Sequence, residues 1–156
     1  MKLAQALIER ADLQRKLAQL AARLQQNAQY QEGEAPAEDP QDLLTDYRRS
    51  AAALTRLIVA INRANHNVTL ADGTTMLAAL AERDRLKAEH AMLGKVADAA
   101  MADQSRYSRS EIRTLAAVDI RALRREADDV AKHCRELDIR IQQANWDNDI
   151  AAEEGQ

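Results

Sequence analysis

The sequence predicts an all-α protein in which four long amphipathic helices form an elongated antiparallel bundle or a coiled-coil-like arrangement. The 156 residues include only 4 Gly and 2 Pro, whereas an all-β or nucleotide-binding α/β fold would need more of both. Apolar residues recur at alternating steps of three and four, which is the period of a helix that packs lengthwise on a partner.

The core of this protein must consist of Leu, Ile and Ala, since Phe is absent and aromatic residues make up 3% of the chain. Ala-rich seams bury little apolar area per residue, so a thin bundle gains stability from self-association. We therefore expect a single helical domain over residues 1–156 that forms a homo-oligomer.

The first helix is predicted from about Lys2 to Gln31. Arg10 and Asn27 interrupt its apolar seam, and two interpretations stay open: a polar residue that specifies register, or a partly exposed helix end. Gly33 is the expected C-terminal cap, and residues 32–40 read as an acidic loop. The seam itself is heptad-like and consists of Leu3, Ala6, Leu13, Leu17, Leu20 and Leu24.

The second helix is predicted from its cap at Asp39 to Asn67, since Asp39 can accept bonds from free backbone amides and Pro40 suits the first helical position. Arg48, Arg49, Arg56 and Arg63 form its solvent edge. Leu43, Leu57 and Ala64 widen its seam, which is predicted to comprise Leu44, Tyr47, Ala51, Leu54, Ile58, Ile61, Asn65 and Val68.

The segment at residues 68–76 predicts a small β-hairpin, because β-branched residues flank Asp72-Gly73, a pair suited to a tight turn. Residues Ile112 to Val118 could add a third strand. The alternative is a plain helix–loop–helix turn in which Thr74 or Thr75 caps the next helix.

The third helix is predicted from about Met76 to Ala102, followed by an irregular segment at 103–118. The fourth helix starts after an N-cap at Asp119. We expect residues 147–156 to form a frayed tail. The seam of the fourth helix alternates without a break through Ile120, Leu123, Ala127, Val130, Cys134, Leu137, Ile141 and Ala144.

The sequence contains no arrangement of residues that indicates catalysis. It lacks a Gly-rich phosphate loop and a G-x-S-x-G motif, and His66, His90 and His133 lack partners at metal-ligand spacing. Cys134 is expected to be a buried, inert thiol. We therefore expect no enzymatic activity, no catalytic residues and no cofactor or metal.

Arg106, Arg109 and Arg113 are the best candidates for an anion-binding or nucleic-acid-binding site, because clustered guanidinium groups can hold carboxylate or phosphate. The alternative is that they pair with acidic residues of this or a neighbouring chain. The net charge is −3 and the basic residues are interleaved with acidic ones, so we do not expect nucleic-acid binding.

Ile139, Trp146 and Ile150 are the candidate oligomer interface. Ile139 and Trp146 are seven residues apart, on the side of the fourth helix roughly opposite its seam, and Trp is the residue most enriched among interface anchors. The alternative is that Trp146 folds back onto its own bundle.

Several segments together resemble the septicolysin-like family of small bacterial proteins: KLAQALIERADLQ, QEGEAPAEDP, INRAN before LADGTT, RYSRSEI and QQANW. The resemblance implies an all-helical protein with little established biochemistry, and the family name suggests a membrane-active cytolysin. The residues speak against that activity, because no run of roughly 20 uncharged apolar residues occurs. A signal peptide is not evident, so we expect a cytoplasmic protein that acts through protein–protein interaction.

Overall fold

The computed structural model describes residues 1–101 and 114–151, and it confirms the all-α class. Its helices are α1 (Leu3–Gln26), α2 (Pro40–Asn67), α3 (Met76–Met101) and α4 (Ile120–Asp147). The chain divides into two compact units, Met1–Val68 with Gln143–Gln156, and Thr69–Gln142. The single domain over residues 1–156 stays a prediction.

Helices α2 and α4 begin where the sequence predicts. The Asp39 carboxylate accepts a hydrogen bond from the Gln41 amide at 2.8 Å, and Pro40 is the first residue of α2. The Asp119 carboxylate accepts a bond from the Ala122 amide at 2.9 Å. Both contacts satisfy backbone donors that have no partner inside the helix.

Helix α1 ends at Gln26, five residues before its predicted limit at Gln31, because Asn27 is its C-terminal cap. The Asn27 amide donates to the Arg23 carbonyl at 3.0 Å, and Asn27 itself is outside the helical conformation. Gly33 has a φ of 87°, yet it lies in the loop and not at the helix end.

In the first unit, α1 and α2 pack as an antiparallel helical hairpin, which we call the α1–α2 hairpin. The loop between them brings Asn27, after α1, to Glu38, before α2, where the Glu38 amide donates to the Asn27 side chain. The buried apolar residues of this unit are Leu3, Ala4, Ala6, Leu20, Leu43, Ile61, Val68, Ala144 and Ile150.

In the second unit, α3 pairs antiparallel with the first part of α4. Arg124 near the start of α4 contacts Asp98 near the end of α3 at 2.7 Å, and Asp138 contacts Arg83 at 3.6 Å. The buried apolar residues of this unit are Leu70, Met76, Ala79, Leu86, Leu93, Ala97, Ala127, Leu137 and Ile141.

The predicted β-hairpin at 68–76 is wrong. Helix α2 continues to Asn67 and α3 begins at Met76, which leaves room for one isolated bridge, between Thr69 and Thr75, and not for strands. The Thr75 hydroxyl accepts a bond from the Ala78 amide at 3.2 Å, as in the helix–loop–helix alternative. The predicted third strand also fails at residues 114–118, which have no strand; residues 112 and 113 lie outside the described part.

The predicted frayed tail differs from the structure as far as Ile150. The Leu3 amide donates to the Asn148 carbonyl at 2.9 Å, and the Ile150 amide donates to the Met1 carbonyl at 3.0 Å. Ile150 is buried, so apolar packing and backbone hydrogen bonds hold this segment on the start of α1. Residues 152–156 lie outside the described part.

Candidate interaction surface

The seam of the α1–α2 hairpin is shifted by one residue on α2 from the predicted seam. Leu43 and Ser50 are buried, whereas their predicted neighbours Leu44 and Ala51 are only half-buried. Ile61 is buried as predicted. Ser50 is small enough to let the helices approach closely, but it is polar, so the apolar pattern favoured Ala51 beside it. The shift leaves a row of apolar residues beside the seam.

Asn27 fixes the register of the hairpin. Its side-chain carbonyl accepts a hydrogen bond from the Glu38 amide at 3.0 Å, and its side-chain amide donates to the Arg23 carbonyl at 2.9 Å. Asn27 is 7% exposed, so this is a buried polar residue with its bonds made. Of the two interpretations from sequence, the structure supports a polar residue that specifies register.

Glu38 and Arg23 add a charged contact to the same end of the hairpin. The Arg23 Nε donates to the Glu38 carboxylate at 2.8 Å. This hydrogen bond, more than the opposite charge alone, lowers the pKa of Glu38 and raises the pKa of Arg23. Both side chains are well exposed, so the pair orients the loop and adds little stability.

The Asn27–Glu38 contact sets which residues of α1 and α2 lie level with one another. Counting from it along the two antiparallel helices, Ala21 lies level with Leu44, Gln14 with Ala51, and Leu7 with Ile58. Each of these residues follows a seam position by one, which is about 100° round the helix. Equivalent positions of an antiparallel pair lie on the same side, so these residues form one surface.

We call this surface the apolar side: Leu7, Gln14, Ala21, Leu44, Ala51 and Ile58. All except Gln14 are apolar, and each of those five is half-buried in the chain. A two-helix layer covers such residues from one direction only. These side chains are therefore partly covered within the chain and partly open to solvent.

The opposite side of the hairpin is charged. Glu9, Lys16 and Arg23 lie along α1 there, each seven residues from the next. A cavity of about 360 Å³ opens on this side. It combines an apolar floor with a carboxylate and a guanidinium group, and its lining includes Glu9, Ala53, Arg56, Leu57, Ala60 and Ile150.

A second cleft, of about 340 Å³, lies between α3 and α4 in the second unit. Its charged residues are neutralised locally: Arg85 contacts Glu82 at 2.8 Å, and Arg140 pairs with Asp72. The hydrogen bonds from Thr74, and then the charge of Arg140, lower the pKa of Asp72. These arginines therefore tie the turn and the helices together, and they do not form a concentrated positive site.

The residues predicted as sites differ in their exposure and in the unit to which they belong. Ile139, in the second unit, is 59% exposed, and Trp146, in the first unit, is 51% exposed. Ile150 is 8% exposed and packs inside the first unit, so it is not a surface residue. The arginine cluster of Arg106, Arg109 and Arg113 lies outside the described residues.

Within residues 1–101 and 114–151, no group of three or more His, Cys, Asp or Glu side chains is placed to hold a metal ion. No helix in the same ranges is long and apolar enough to cross a membrane.

Comparison with known proteins gives a family and a solved structure. Residues 10–150 match a family of unknown function, DUF6847. A crystal structure described as a functionally unknown conserved protein from Corynebacterium diphtheriae is 38% identical, with a TM-score of 0.89. The match covers 97% of this chain and 99% of that one. No curated protein matches this chain.

These matches overturn the resemblance to the septicolysin-like family, because neither of them carries that name. The segments behind the resemblance are short and rich in Ala, Leu and charged residues. Amphipathic helices of many proteins share that composition, so such segments discriminate poorly between families. The cytolysin activity that the name suggested loses its basis with it.

Proposed function

The chain belongs to the DUF6847 family of unknown function, and on that premise we propose that it is a non-enzymatic helical protein that acts by self-association. One observation carries the proposal: each unit leaves large apolar side chains at its surface. In the first unit these include Ile8, Val59 and Trp146, which are 56%, 40% and 51% exposed. In the second unit they include Leu77, Met92 and Ile139.

Scattered apolar side chains are normal on a protein surface, but these occur on helices that also keep half-buried apolar residues beside them. Covering such residues in a partner removes apolar area from water at about 25 cal/mol per Å². A second copy of the same chain is always available at the concentration of the protein itself. Self-association therefore requires no additional component.

We predict that Trp146→Ala lowers the mass of the particle while its helix content stays intact. Trp146 is half exposed on the last turn of α4, and truncating an aromatic anchor of an interface costs about 2 kcal/mol or more in association. Light scattering coupled to gel filtration measures the mass, and circular dichroism measures the helix content.

Tyr30→Ala is the matched control. Tyr30 is also an exposed aromatic residue, at 63%, but it lies in the loop between α1 and α2. Its replacement should leave the mass unchanged. If wild type and Trp146→Ala have the same mass at every concentration where wild type is associated, Trp146 is not an interface anchor. A wild type that is monomeric throughout would remove the proposed function itself.

A further inference from the structure

We infer that Asp72 is a site of spontaneous chemical modification, the isomerisation of aspartate to isoaspartate, and that the folded turn around it holds this reaction back. The residues involved belong to the turn before α3 and to α4, all within the second unit. The modification is therefore independent of the proposed self-association.

The sequence marks Asp72 as the reactive position, because the reaction needs an aspartate followed by a residue with an accessible backbone nitrogen. Asp72 precedes Gly73, and no other Asp or Asn of the 156 residues precedes a glycine. Glycine has no Cβ to obstruct the approach of its nitrogen to the preceding side chain. Asp72 is also exposed, so water reaches it.

The reaction has two steps that together leave the mass of the chain unchanged. The Gly73 nitrogen attacks the side-chain carboxyl carbon of Asp72 and closes a five-membered succinimide ring, while the hydroxyl of the protonated carboxyl group leaves with the amide proton as water. A water molecule then opens the ring. Opening at the side-chain carbonyl returns aspartate, whereas opening at the backbone carbonyl leaves the main chain running through the side chain, which is isoaspartate.

Two contacts hold the Asp72 carboxyl group in its ionised form. One oxygen accepts a hydrogen bond from the Thr74 amide at 3.0 Å, and the other pairs with the Arg140 guanidinium group of α4. Thr74 first, and then the charge of Arg140, lower the pKa of this group. The protonated acid is the form that loses its oxygen as water, so both contacts slow the closure of the ring.

The attacking nitrogen is held as well. The Gly73 amide donates to the Leu70 carbonyl at 2.9 Å, and the Leu70 amide donates to the Thr74 carbonyl at 2.8 Å. Leu70 is 3% exposed, so these bonds are anchored to a buried residue. For its nitrogen to reach the carboxyl carbon, the peptide group between Asp72 and Gly73 has to turn, and its bond to Leu70 breaks.

Isoaspartate at this position would lengthen the main chain by one carbon atom inside a short turn. Thr69 and Thr75 form a bridge across the turn, and the buried Met76 begins α3 directly after it. The added atom disturbs the spacing that the bridge and the Leu70 bonds need. The modified chain should therefore have a lower thermal midpoint of unfolding than the unmodified chain.

The first test compares the folded chain with the same chain unfolded in guanidinium chloride, both incubated at one temperature and neutral pH. Isoaspartate in the tryptic fragment 64–83 is measured by liquid chromatography with electron-transfer dissociation, which distinguishes the two isomers of equal mass. We expect it to accumulate about tenfold faster, or more, in the unfolded chain, since the folded turn has to open before the ring can close.

The second test changes the contact that α4 supplies. Arg140→Gln removes the charge beside Asp72, and we expect the folded variant to form isoaspartate about two- to fivefold faster than wild type, as suits an exposed ion pair. Arg135→Gln makes the same change at another exposed position of α4 and should leave the rate unchanged. Asp72→Glu should abolish the signal, because its ring would need six members.

Each outcome decides one part of the inference. Equal rates in the folded and unfolded wild-type chains would overturn the restraint by the turn, and equal rates in wild type and Arg140→Gln would overturn the role of Arg140. An unfolded chain without isoaspartate at Asp72 would overturn the site itself. If circular dichroism shows that Arg140→Gln loses helix content, the comparison of folded and unfolded wild type decides.

Discussion

At the scale of single residues, Asn27 does the most to position the rest of the first unit. Its side chain accepts from the Glu38 amide and donates to the Arg23 carbonyl, so one buried amide connects the end of α1 to the start of α2. That contact joins the two helices at the loop end of the hairpin.

We predict that Asn27→Ala lowers the free energy of unfolding by about 1–3 kcal/mol, because the Glu38 amide loses its acceptor in a buried place. Urea unfolding at a fixed protein concentration measures the change. Gln25→Ala, two residues earlier and exposed, should change stability by less than about 0.5 kcal/mol. Equal effects of the two variants would contradict the role of Asn27.

Two glycines offer a second test at this scale, because the same substitution should act in opposite directions. Gly73 has a φ of 83° in the turn before α3, a conformation that costs an L-residue about 1 kcal/mol or more. Gly94 lies inside α3, where an added Cβ meets nothing within 4 Å. Alanine is favoured over glycine in a helix interior by roughly 0.5–1 kcal/mol.

We therefore predict that Gly73→Ala lowers the thermal midpoint of unfolding and that Gly94→Ala raises it. Differential scanning calorimetry of the two variants beside wild type gives both signs in one series. A higher midpoint for Gly73→Ala would show that the turn does not hold Gly73 in the left-handed region.

At the scale of elements, local chemistry predicted where helices begin and long-range packing decided the rest. Asp39 and Asp119 each accept a hydrogen bond from a backbone amide within three residues. Neighbouring residues alone therefore determine these caps. The end of α1 depends on Asn27 and Glu38, which are eleven residues apart. The docking of residues 148–150 depends on the other end of the chain. The period of the apolar residues cannot predict either contact, because both join residues that are far apart in the sequence.

The one-residue shift of the α2 seam has a similar origin. Leu43 and Leu44 are both apolar, and Ser50 and Ala51 are both small, so the sequence offers two seams on adjacent sides of α2. Only pairing with α1 selects between them. The unselected residues, Leu44, Ala51 and Ile58, are half-buried beside the seam. Ser50 in the seam carries no apolar signal by which sequence reasoning could have found it.

The segment after α4 is held chiefly by Ile150 and not by its ion pair. Ile150 is 8% exposed, whereas Lys2 and Asp149 meet at 2.9 Å with both side chains well exposed. We predict that Ile150→Ala lowers the free energy of unfolding by about 2–3 kcal/mol, as loss of buried apolar volume does. Asp149→Asn should have a much smaller effect. Chemical denaturation of both variants makes the comparison.

The ion pair should show itself in the pH dependence. The hydrogen bond from Lys2 holds the pKa of Asp149 below its usual value. A lowered carboxyl pKa gives stability that is present above the unfolded pKa, near 3.9, and is lost as pH falls through the folded value. The free energy of unfolding of wild type should therefore be slightly higher than that of Asp149→Asn at neutral pH. Wild type should lose this small advantage in acid. An advantage that does not diminish as pH falls below the unfolded pKa would contradict the assignment.

At the scale of the whole molecule, the proposed self-association explains how a chain without Phe can be stable. Each described helical hairpin has a seam of small and branched residues, and each leaves further apolar side chains at its surface. In the proposed assembly, other copies would add the buried area that one copy lacks. Stability should then depend on protein concentration, which a self-contained monomer does not show.

The measurement that tests this most directly is the mass of the wild-type particle across a dilution series, by sedimentation equilibrium. One chain has a mass of 17.4 kDa. Self-association predicts a multiple of that mass at high concentration and a fall toward it on dilution, with the fall displaced to higher concentration in Trp146→Ala. A mass of one chain at every concentration would contradict it.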